Sequence, residues 1–356
     1  MDAALLPKYK NIKQAVLQDI RSGRLRPGDK LPVRTELMEI YSTTRVTLDK
    51  ALNELIDEQI LTASRRAGTF VASQRKARKI AIITGASDSM QGQLLQRYNY
   101  LDMYGTLREL LKDRTVETLS PSQVLAEPKI LKDFDFILTN PLSEPELDEI
   151  SAMLGNRDRI IPLNRPFEGY NYVSTDHRQA ARDLTGLFLR ELPPESEIIY
   201  LDIKFAEPFY VESVPELRKK GFIDACAEYR RFYRLVNVRL GKHLEYNEYN
   251  VADISELQTQ PLRGTMPSCI ISPSKCFTGP VLRHLNECGL KLNKDIYYAD
   301  FDNYNSQMDT GYAITSVLED FTGIAETAAK MVDAERPSPR IIPYHIMNNP
   351  FQQTKR

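Results

Sequence analysis

The sequence predicts an α/β protein in which a small helical N-terminal domain precedes a larger domain built on parallel sheets. Up to about residue 56, apolar side chains recur at spacings of three and four, the period of amphipathic helices. Beyond residue 79, short β-branched runs such as residues 80–83 alternate with longer helical segments, which is typical of doubly wound sheets. The charge also changes sign. Residues 1–79 contain 16 Lys and Arg against 9 Asp and Glu, net +7, and the rest contains 31 against 39, net −8.

Composition narrows the class of protein. A chain of 356 residues is long enough for two or three domains, and 42% hydrophobic with 27% charged residues is typical of globular proteins. No apolar run approaches the roughly 18 residues of a membrane span. The N-terminus lacks the basic and apolar regions of a secretory signal. We therefore expect a cytoplasmic protein without a membrane partner.

Neither a metal site nor an active site is indicated. The four cysteines form no CxxC pair, so reduced thiols are expected. The four histidines show no ligand spacing, and no metal or cofactor is predicted. The sequence also lacks a glycine-rich phosphate loop, a GxSxG motif and an HExxH motif. We therefore do not expect an enzyme.

The N-terminal domain begins with a predicted helix over residues 8–21. Its buried face consists of four apolar residues at helical spacing: Tyr9, Ile12, Val16 and Ile20. Ser22 and Gly23 favour its end. Pro32 favours the start of a second helix. The buried face of that helix is predicted to contain Leu37, Ile40 and Tyr41.

A turn and a third helix follow. Three small hydroxyl residues, Ser42 to Thr44, are typical of turns and N-caps. The third helix has an apolar stripe made of Leu48, Ala51, Leu52, Leu55 and Ile56. Its open face carries Arg45, Val46, Thr47, Asp49, Lys50 and Asn53.

Predicted strands at 60–64 and 69–72 flank a hairpin tip with two cations, Arg65 and Arg66. This pattern predicts a winged helix-turn-helix whose third helix enters a DNA major groove. The alternative is an ordinary amphipathic helix pair with solvated outer charges.

Residues 6–71 resemble the N-terminal domain of the gluconate-repressor (GntR) family of bacterial transcription factors. The matching residues are Tyr9, Ile20, Gly23, residues 27–32 (PGDKLP), Leu37, Tyr41, Thr44, Arg45, Thr47, Ala51, Leu52, Leu55 and residues 68–71 (GTFV). The resemblance implies binding to double-stranded DNA. Because symmetric dimers read palindromes, we expect a homodimer on a palindromic operator. The DNA-binding residues expected are Arg34, Thr35, Thr43, Thr44, Arg45, Thr47, Lys50, Arg65, Arg66 and Gly68.

The sequence departs from the family pattern in three places. Arg34-Thr35 stands where Glu-Arg is usual, which implies a phosphate-contacting arginine displaced by one position. Thr44 replaces the commoner serine and preserves the hydroxyl. Gln59 replaces a glycine, which implies a left-handed turn residue. We expect this domain to span residues 1–72 and a basic linker residues 73–79, either a solvated tether or an arm that follows phosphates.

The second domain is predicted over residues 80–356. Its apolar strands are expected at 80–83, 134–138, 160–163, 198–201, 269–271 and 296–299. Its helices are expected at 144–154, 176–190, 215–230, 279–289 and 320–333, with an amphipathic stretch up to about Lys112. In such sheets, ligands bind beyond the carboxyl ends of the strands.

Residues 80–349 look like the effector domain of lactose/galactose-repressor-type regulators, which is similar to periplasmic sugar-binding proteins. The stretches that carry the resemblance are 135–138 (DFIL), 162–165 (PLNR), 173–176 (VSTD) with 179–181 (QAA), 218–222 (RKKGF), 300–303 (DFDN) and 314–317 (ITSV). Together with the GntR-type domain, they resemble arabinose-operon-type repressors. The resemblance implies a periplasmic-binding-protein-like fold of two lobes, with three chain crossings, closing on a small molecule.

The resemblance also implies effector-binding residues. By matching position these are Asn164, Arg165, Arg218 and Asp302, and Ser87, Asp88, Asp176 and Lys275 are added as weaker candidates. A guanidinium or a carboxylate can pair with two neighbouring hydroxyls of a sugar. The alternatives are a salt bridge for each arginine, a turn cap for Asp302 and a helix cap for Asp176.

Three further expectations concern this site. Lys275 stands in a Ser-Lys pair where the family usually has Asn-Asp, so it would suit an acidic or phosphorylated ligand, or point outward. Because the chain has no tryptophan, a sugar ring would stack on Tyr98, Tyr104 or Phe205. Arg218 and Asp302 are expected on opposite sides of the inter-lobe cleft.

Together these features predict a transcription regulator, most simply a repressor of a carbohydrate-utilisation operon with a sugar as effector. The alternatives are a GntR-type regulator that responds to a non-sugar or phosphorylated metabolite, a regulator whose second domain has another fold, and a sugar-binding protein without a regulatory role.

Overall fold

The computed structural model describes residues 7–58, 60–64, 67–72, 78–84, 99–140, 142–205, 213–243, 248–259, 262, 267–304, 306–334 and 336–351. The chain divides into two compact units, Met1–Arg78 and Lys79–Arg356, called here the head and the body. No helix among the described residues is long and apolar enough to cross a membrane.

The described residues of the head form three helices and a hairpin. The elements are α1 (Lys8–Arg21), α2 (Arg34–Ile40), α3 (Arg45–Asp57), β1 (Leu61–Ser64) and β2 (Gly68–Val71). The first helix therefore spans the predicted residues. The predicted stripe of α3 is fully buried except for Ile56, which is half-buried. The expectation for Ile40 was wrong: it is 62% exposed, and α2 packs through buried Leu37 with Met38 and Tyr41 instead.

The hairpin pairs β1 with β2 in antiparallel register, from Leu61 opposite Val71 to Ser64 opposite Gly68. Gly68 has φ of +109°, a backbone conformation that favours glycine. Arg65 and Arg66, predicted at the hairpin tip, lie outside the described residues, as does Gln59. The residues that the structure describes thus form a helix-turn-helix followed by a wing.

The body alternates strands with helices. Its strands are β3 (Lys79–Ile83), β4 (Thr115–Leu119), β5 (Phe136–Thr139), β6 (Ile160–Pro162), β7 (Val173–Thr175), β8 (Ile198–Phe205), β9 (Arg234–His243), β10 (Glu248–Asp253), β11 (Ser268–Ile271), β12 (Ile296–Phe301), β13 (Thr315–Glu319), β14 (Arg340–Ile342) and β15 (Tyr344–Met347). Its α-helices are α4 (Asn99–Leu110), α5 (Pro121–Ala126), α6 (Glu144–Leu154), α7 (His177–Glu191), α8 (Ser213–Glu228), α9 (Ser255–Thr259), α10 (Thr278–Glu287), α11 (Ser306–Thr310) and α12 (Phe321–Asp333). Short 3-10 helices occupy Pro128–Asp133, Arg157–Arg159 and Lys275–Phe277.

Two main sheets define two lobes. The first lobe has the parallel order β4-β3-β5-β6, which a bridge from Leu163 to Val173 extends to the β7-β14 pair. The second lobe has the order β10-β9-β8-β11-β12-β13-β15, in which the two edge strands β10 and β15 are antiparallel. The sheets are therefore parallel inside, as predicted, with an antiparallel strand at each edge of the larger one.

Alternation along single strands shows that both sheets are covered on both faces. In β3, Ile80 and Ile82 enter a core with α4 and α12, and Ala81 and Ile83 enter the opposite core with α6. In β8 the same alternation divides residues between a core with α7 and α8 and a core with α10. Continuous apolar strands such as these are the pattern expected for doubly wound sheets.

The chain passes between the lobes three times. It leaves β7 of the first lobe at residues 175–177 and enters α7, which packs in the second lobe. It returns at residues 319–321, where β13 ends and α12 enters the core of the first lobe. It crosses again at residues 342–344, between β14 and β15. The three crossings that the resemblance implied are therefore present.

Candidate DNA-binding face and inter-lobe site

The exposed face of α3 is the candidate DNA-binding surface of the head. Arg45 is exposed, with 78% of its side chain accessible, and Val46 beside it is 81% exposed. Lys50 is also exposed, and its ammonium lies 4.2 Å from the centre of the Tyr9 ring. Such a contact holds a lysine over an aromatic face while its charge stays near solvent.

The predicted hydroxyl residues line the start of α2 and α3. Thr35 and Thr44 are exposed, whereas Thr43 and Thr47 are half-buried. The hydroxyls of Thr44 and Thr47 lie 3.1 Å apart, so each has a partner when DNA is absent. Hydroxyl and amide donors at helix N-termini are typical phosphate ligands.

Arg34, expected to contact a DNA phosphate, instead has partners inside the head. Its Nε donates a hydrogen bond to Oδ1 of Asp49 at 3.3 Å, and its Nη1 donates to Oγ1 of Thr69 at 2.6 Å. Asp49 also lies 3.6 Å from Nε of Arg45. The guanidinium of Arg34 therefore faces α3 and β2 in the head.

A second candidate site lies in the body, where the chain crosses between the lobes, and is centred on Glu319. Only 1% of its side chain is exposed. Its Oε1 accepts a hydrogen bond from Nη2 of Arg218 at 2.7 Å and lies 2.9 Å from Nδ1 of His177. Its Oε2 accepts from Nδ2 of Asn164 at 2.6 Å. One carboxylate thus contacts side chains from both lobes, and it links its own crossing to the one that contains His177.

Arg218, in the second turn of α8, is the cation of this site and is 6% exposed. It donates to the carbonyl oxygen of Pro273 at 2.6 Å and to Oδ2 of Asp302 at 3.3 Å, besides Glu319. The centre of its guanidinium lies 4.0 Å from the centroid of the Phe301 ring. A planar guanidinium suits such a site, because its donors can serve several acceptors while its face stacks on an aromatic ring.

The expectation that Arg218 and Asp302 face each other across the cleft was wrong. Both belong to the second lobe and are in direct contact. Asp302 directly follows β12, and α8 follows β8, so both residues lie near the same carboxyl edge of one sheet. Motif order along the chain could not show this, because the parallel topology brings segments 84 residues apart to the same edge.

The first lobe contributes Asn164 and Arg165, which follow β6. Asn164 is 1% exposed, and its Oδ1 accepts from the backbone N–H of Thr175 at 3.3 Å. Nε of Arg165 donates to the carbonyl oxygen of Asn140 at 2.7 Å. Asn164 and Asp302 have φ of +53° and +62°, which is uncommon for residues other than glycine. Such backbone strain often accompanies binding sites.

The pKa values of the two carboxyl groups of the site, Asp302 and Glu319, are shifted in opposite directions. Burial and the nearby charge of Glu319 raise the pKa of Asp302, an effect that Arg218 and Lys275 only partly offset. Burial would likewise raise the pKa of Glu319, but His177 and Arg218 outweigh it and lower that pKa well below its usual range. Glu319 is therefore the ionised partner of Arg218, and Asp302 is the carboxyl group that changes protonation more easily.

A third carboxyl group, that of Asp300, lies on β12 and is fully buried. Its Oδ2 accepts from Oγ1 of Thr278 at 2.5 Å and from Nδ2 of Asn303 at 2.7 Å. Burial raises its pKa to about 6, although these hydrogen bonds and the charge of Lys275 act in the opposite direction. Lys275, half-buried in a 3-10 helix after β11, thus contributes positive charge to this edge of the sheet.

The remaining predicted effector residues do not join the site. Asp176 is exposed, and Oδ1 of its side chain caps α7 by accepting from the N–H of Gln179 at 2.9 Å. Ser87, Asp88 and Tyr98 lie outside the described residues, and so does the side chain of Phe205. Tyr104, a candidate for ring stacking, is buried in the core of the first lobe, so that expectation was wrong.

Sequence reasoning missed three residues of the body: Glu319, His177 and Asp300. Asp300 is the first residue of the stretch 300–303, His177 directly follows 173–176, and Glu319 lies two residues after 314–317. None of them was chosen as a ligand-binding residue. The signal that could have found Glu319 is its place at the carboxyl end of a β-rich run, where parallel sheets position functional groups. Among the described residues, no group of three or more potential metal ligands is found.

The head and the whole chain each resemble known proteins. Residues 8–71 match the model of the bacterial regulatory proteins of the gntR family. The uncharacterized HTH-type transcriptional regulator YurK of Bacillus subtilis is 35% identical over 85 residues, which cover 24% of this chain and 35% of that protein. The match therefore spans about a third of the length of that relative.

Two further comparisons include the body. The arabinose metabolism transcriptional repressor of Geobacillus stearothermophilus is 26% identical over 349 residues, covering 93% of this chain and 92% of that protein. A LacI-family transcriptional regulator of Enterococcus faecium, solved with bound ribose, has a TM-score of 0.55 at 15% identity, covering 76% of this chain and 97% of that one. The head thus matches the gntR-family model over residues 8–71, and the body has the two-lobed fold of that LacI-family regulator.

Proposed function

We propose that the protein is a transcription repressor of a carbohydrate-utilisation operon, and that a small sugar bound between the lobes changes its DNA affinity. The observation that carries this proposal is the charged inter-lobe site of the body in a chain whose head presents an open recognition helix. The relative that covers both units is an arabinose metabolism repressor, which supports a sugar effector. In this proposal the protein acts in the cytoplasm, by binding alone, without enzymatic activity.

In the head, Arg45, Thr47 and Lys50 would read or position DNA from α3. Thr35, Thr43 and Thr44 would contact phosphates at the helix N-termini, and Gly68 would let the wing approach the backbone. Arg65 and Arg66 are proposed as wing contacts from sequence alone. A homodimer would place two such heads on a palindromic operator, because a two-fold symmetric protein reads a two-fold symmetric site.

Arg45→Ala should cost about 1–3 kcal/mol of operator affinity if Arg45 makes a bidentate contact with a base. The measurement is fluorescence anisotropy with a labelled duplex that the wild-type protein has selected from a random pool. Lys10→Ala, which removes one charge from the exposed face of α1, is the control. Equal affinities for Arg45→Ala and the wild type would refute the assignment of Arg45.

In the body, Arg218, Asp302 and Lys275 would face the sugar from the second lobe, and Asn164 and Arg165 from the first. Ser87 and Asp88, which lie outside the described residues, are kept as contacts proposed from the sequence alone. Glu319 would orient Arg218 without touching the ligand, because its two carboxylate oxygens are already occupied. Asp176 is left out of the proposed site, since its carboxylate caps α7.

The experiment is a thermal stability screen with L-arabinose, D-ribose and D-xylose, each beside its phosphorylated form. A ligand that binds only the native state raises its stability, by about 2.7 kcal/mol at one hundred times Kd. A neutral sugar should stabilise the protein. Stabilisation only by the phosphorylated compounds would favour the second candidate, a phosphorylated effector, which the charge of Lys275 supports. No stabilisation by either set would contradict a pentose effector.

Asp302→Ala should weaken the binding of the stabilising sugar at least tenfold while DNA binding without ligand stays near the wild-type level. The reason is that Asp302 belongs to the body, whereas DNA contacts belong to the head. Calorimetry measures the first quantity and anisotropy the second. Asp224→Ala, on the surface of the same lobe, is the control. Normal sugar binding by Asp302→Ala, or loss of ligand-free DNA binding, would refute the role of Asp302.

A further inference from the structure

Arg34 connects three separate elements of the head. It is the first residue of α2, its Nε bonds to Asp49 on α3, and its Nη1 bonds to Thr69 on β2. One third of its side chain is exposed, and Asp49 is exposed to a similar extent. The distances of 3.3 Å and 2.6 Å place two different guanidinium nitrogens on two different acceptors.

Thr69 is the residue of the wing to which Arg34 is bonded. It is 3% exposed, so its hydroxyl requires a partner inside the protein. Its carbonyl oxygen accepts from the N–H of Leu31 at 2.8 Å, just before α2. The side chain and the backbone of Thr69 therefore both join the wing to the segment that starts α2.

The contact between Arg34 and Asp49 also affects the charge of the DNA-binding face. Asp49 lies on α3 beside Arg45, and its Oδ2 is 3.6 Å from Nε of that residue. A carboxylate on the helix that approaches DNA would repel phosphates. Arg34 approaches the other oxygen, Oδ1, so the carboxylate is neutralised from two sides.

We infer that Arg34 is a positioning residue, which fixes the wing against the recognition helix and neutralises Asp49, and that it makes no phosphate contact of its own. This inference rests on the proposed function of the head. A partly exposed ion pair contributes little to folding stability, so the effect falls on the geometry of the DNA-binding face. Only a guanidinium has donors fixed in a fork that can reach both acceptors, and a lysine cannot replace it.

Amide hydrogen exchange of the full-length protein without DNA tests the positioning. Arg34→Gln, Arg34→Lys and Thr69→Val should each increase exchange in β1 and β2 and leave α1 unchanged. Lys10→Gln, which removes a charge from α1, should behave as the wild type. Wild-type exchange of the hairpin in both Arg34 variants would overturn the inference. This readout does not depend on whether the protein binds DNA.

DNA titrations at several salt concentrations test the absence of a phosphate contact. With the duplex selected by the wild-type protein, Arg34→Gln and Arg34→Lys should both weaken binding about tenfold and keep the wild-type salt dependence. Two results would overturn the inference: wild-type affinity of Arg34→Lys, or a logarithmic salt slope of Arg34→Gln smaller by about one, the sign of a lost phosphate contact. Failure of the wild-type protein itself to bind any duplex would instead contradict the proposed function. Hydrogen exchange would still test the positioning role of Arg34 in that case.

Discussion

Replacing Arg218 with methionine should lower the free energy of unfolding of the body by about 3–5 kcal/mol. The substitution keeps most of the side-chain volume but removes the cation between Asp302 and Glu319. Breaking a buried pair by removing one partner is costly because the remaining charge stays buried. Urea unfolding of the full-length protein, followed by circular dichroism, measures the loss.

A combined variant separates this electrostatic effect from lost packing. Arg218→Met together with Glu319→Gln and Asp302→Asn removes the two carboxylates along with the cation, and it should recover most of the lost stability. His177 and Asn164 would still contact residue 319 in that variant. A loss below 1 kcal/mol for Arg218→Met alone would show that the guanidinium does not compensate the buried charge. An equal loss in the combined variant would assign the effect to packing.

The contribution of Asp300 to the stability of the body should fall as pH rises from about 4 to about 6. The pKa of Asp300 is raised from 3.8 to about 6 in the folded protein, so the folded state binds a proton more tightly than the unfolded chain. This stabilising contribution is therefore complete below about pH 4 and lost as pH rises through 6. At 1.36 kcal/mol per unit, the difference amounts to roughly 3 kcal/mol.

The comparison that isolates Asp300 is the Asp300→Asn variant, measured by urea unfolding at each pH. The difference between wild type and variant should change across this range. Asp224→Asn provides a control of opposite sign, because Arg178 lowers the pKa of Asp224. The contribution of Asp224 is present above its unfolded pKa and lost as pH falls. Parallel curves for the wild type and Asp300→Asn would contradict the raised pKa of Asp300.

Local sequence patterns were sufficient to predict much of the secondary structure of the head. The spacing of Tyr9, Ile12, Val16 and Ile20 predicted α1 at its observed bounds, because one amphipathic helix buries one face. Ile40 shows the limit of this reasoning. It has the correct spacing, but α2 is only seven residues long and its last residue lies outside the core that Leu37 enters.

The strands of the body were predictable where they are apolar on both faces. The strands β3, β6 and β11 were found for this reason. By contrast, β4 has exposed and half-buried residues, and β9 is largely polar on one side, so neither has a continuous apolar run. Strands of this kind depend on pairing with a neighbouring strand, which the local sequence does not contain.

The inter-lobe site was predictable only in part. Asn164, Arg165, Arg218 and Asp302 were proposed from motif resemblance, but Glu319 was not. Its bond to Asn164 spans 155 residues and its bond to Arg218 spans 101. Because such contacts depend on how distant segments meet at the crossings, spacing along the chain cannot reveal them. The same reason explains why Arg218 and Asp302 were wrongly placed on opposite sides.

Coupling between sugar binding and DNA binding can be measured in a single titration. Fluorescence anisotropy measures the affinity for the selected duplex with and without a saturating concentration of the sugar that stabilises the protein. A ligand can change DNA affinity only if it binds the two states of the regulator unequally. We expect the sugar to change DNA affinity by at least fivefold, within the usual range of allosteric coupling, and Asp302→Ala to abolish the change. Identical DNA affinities with and without a sugar that calorimetry shows to be bound would contradict coupling between the two sites.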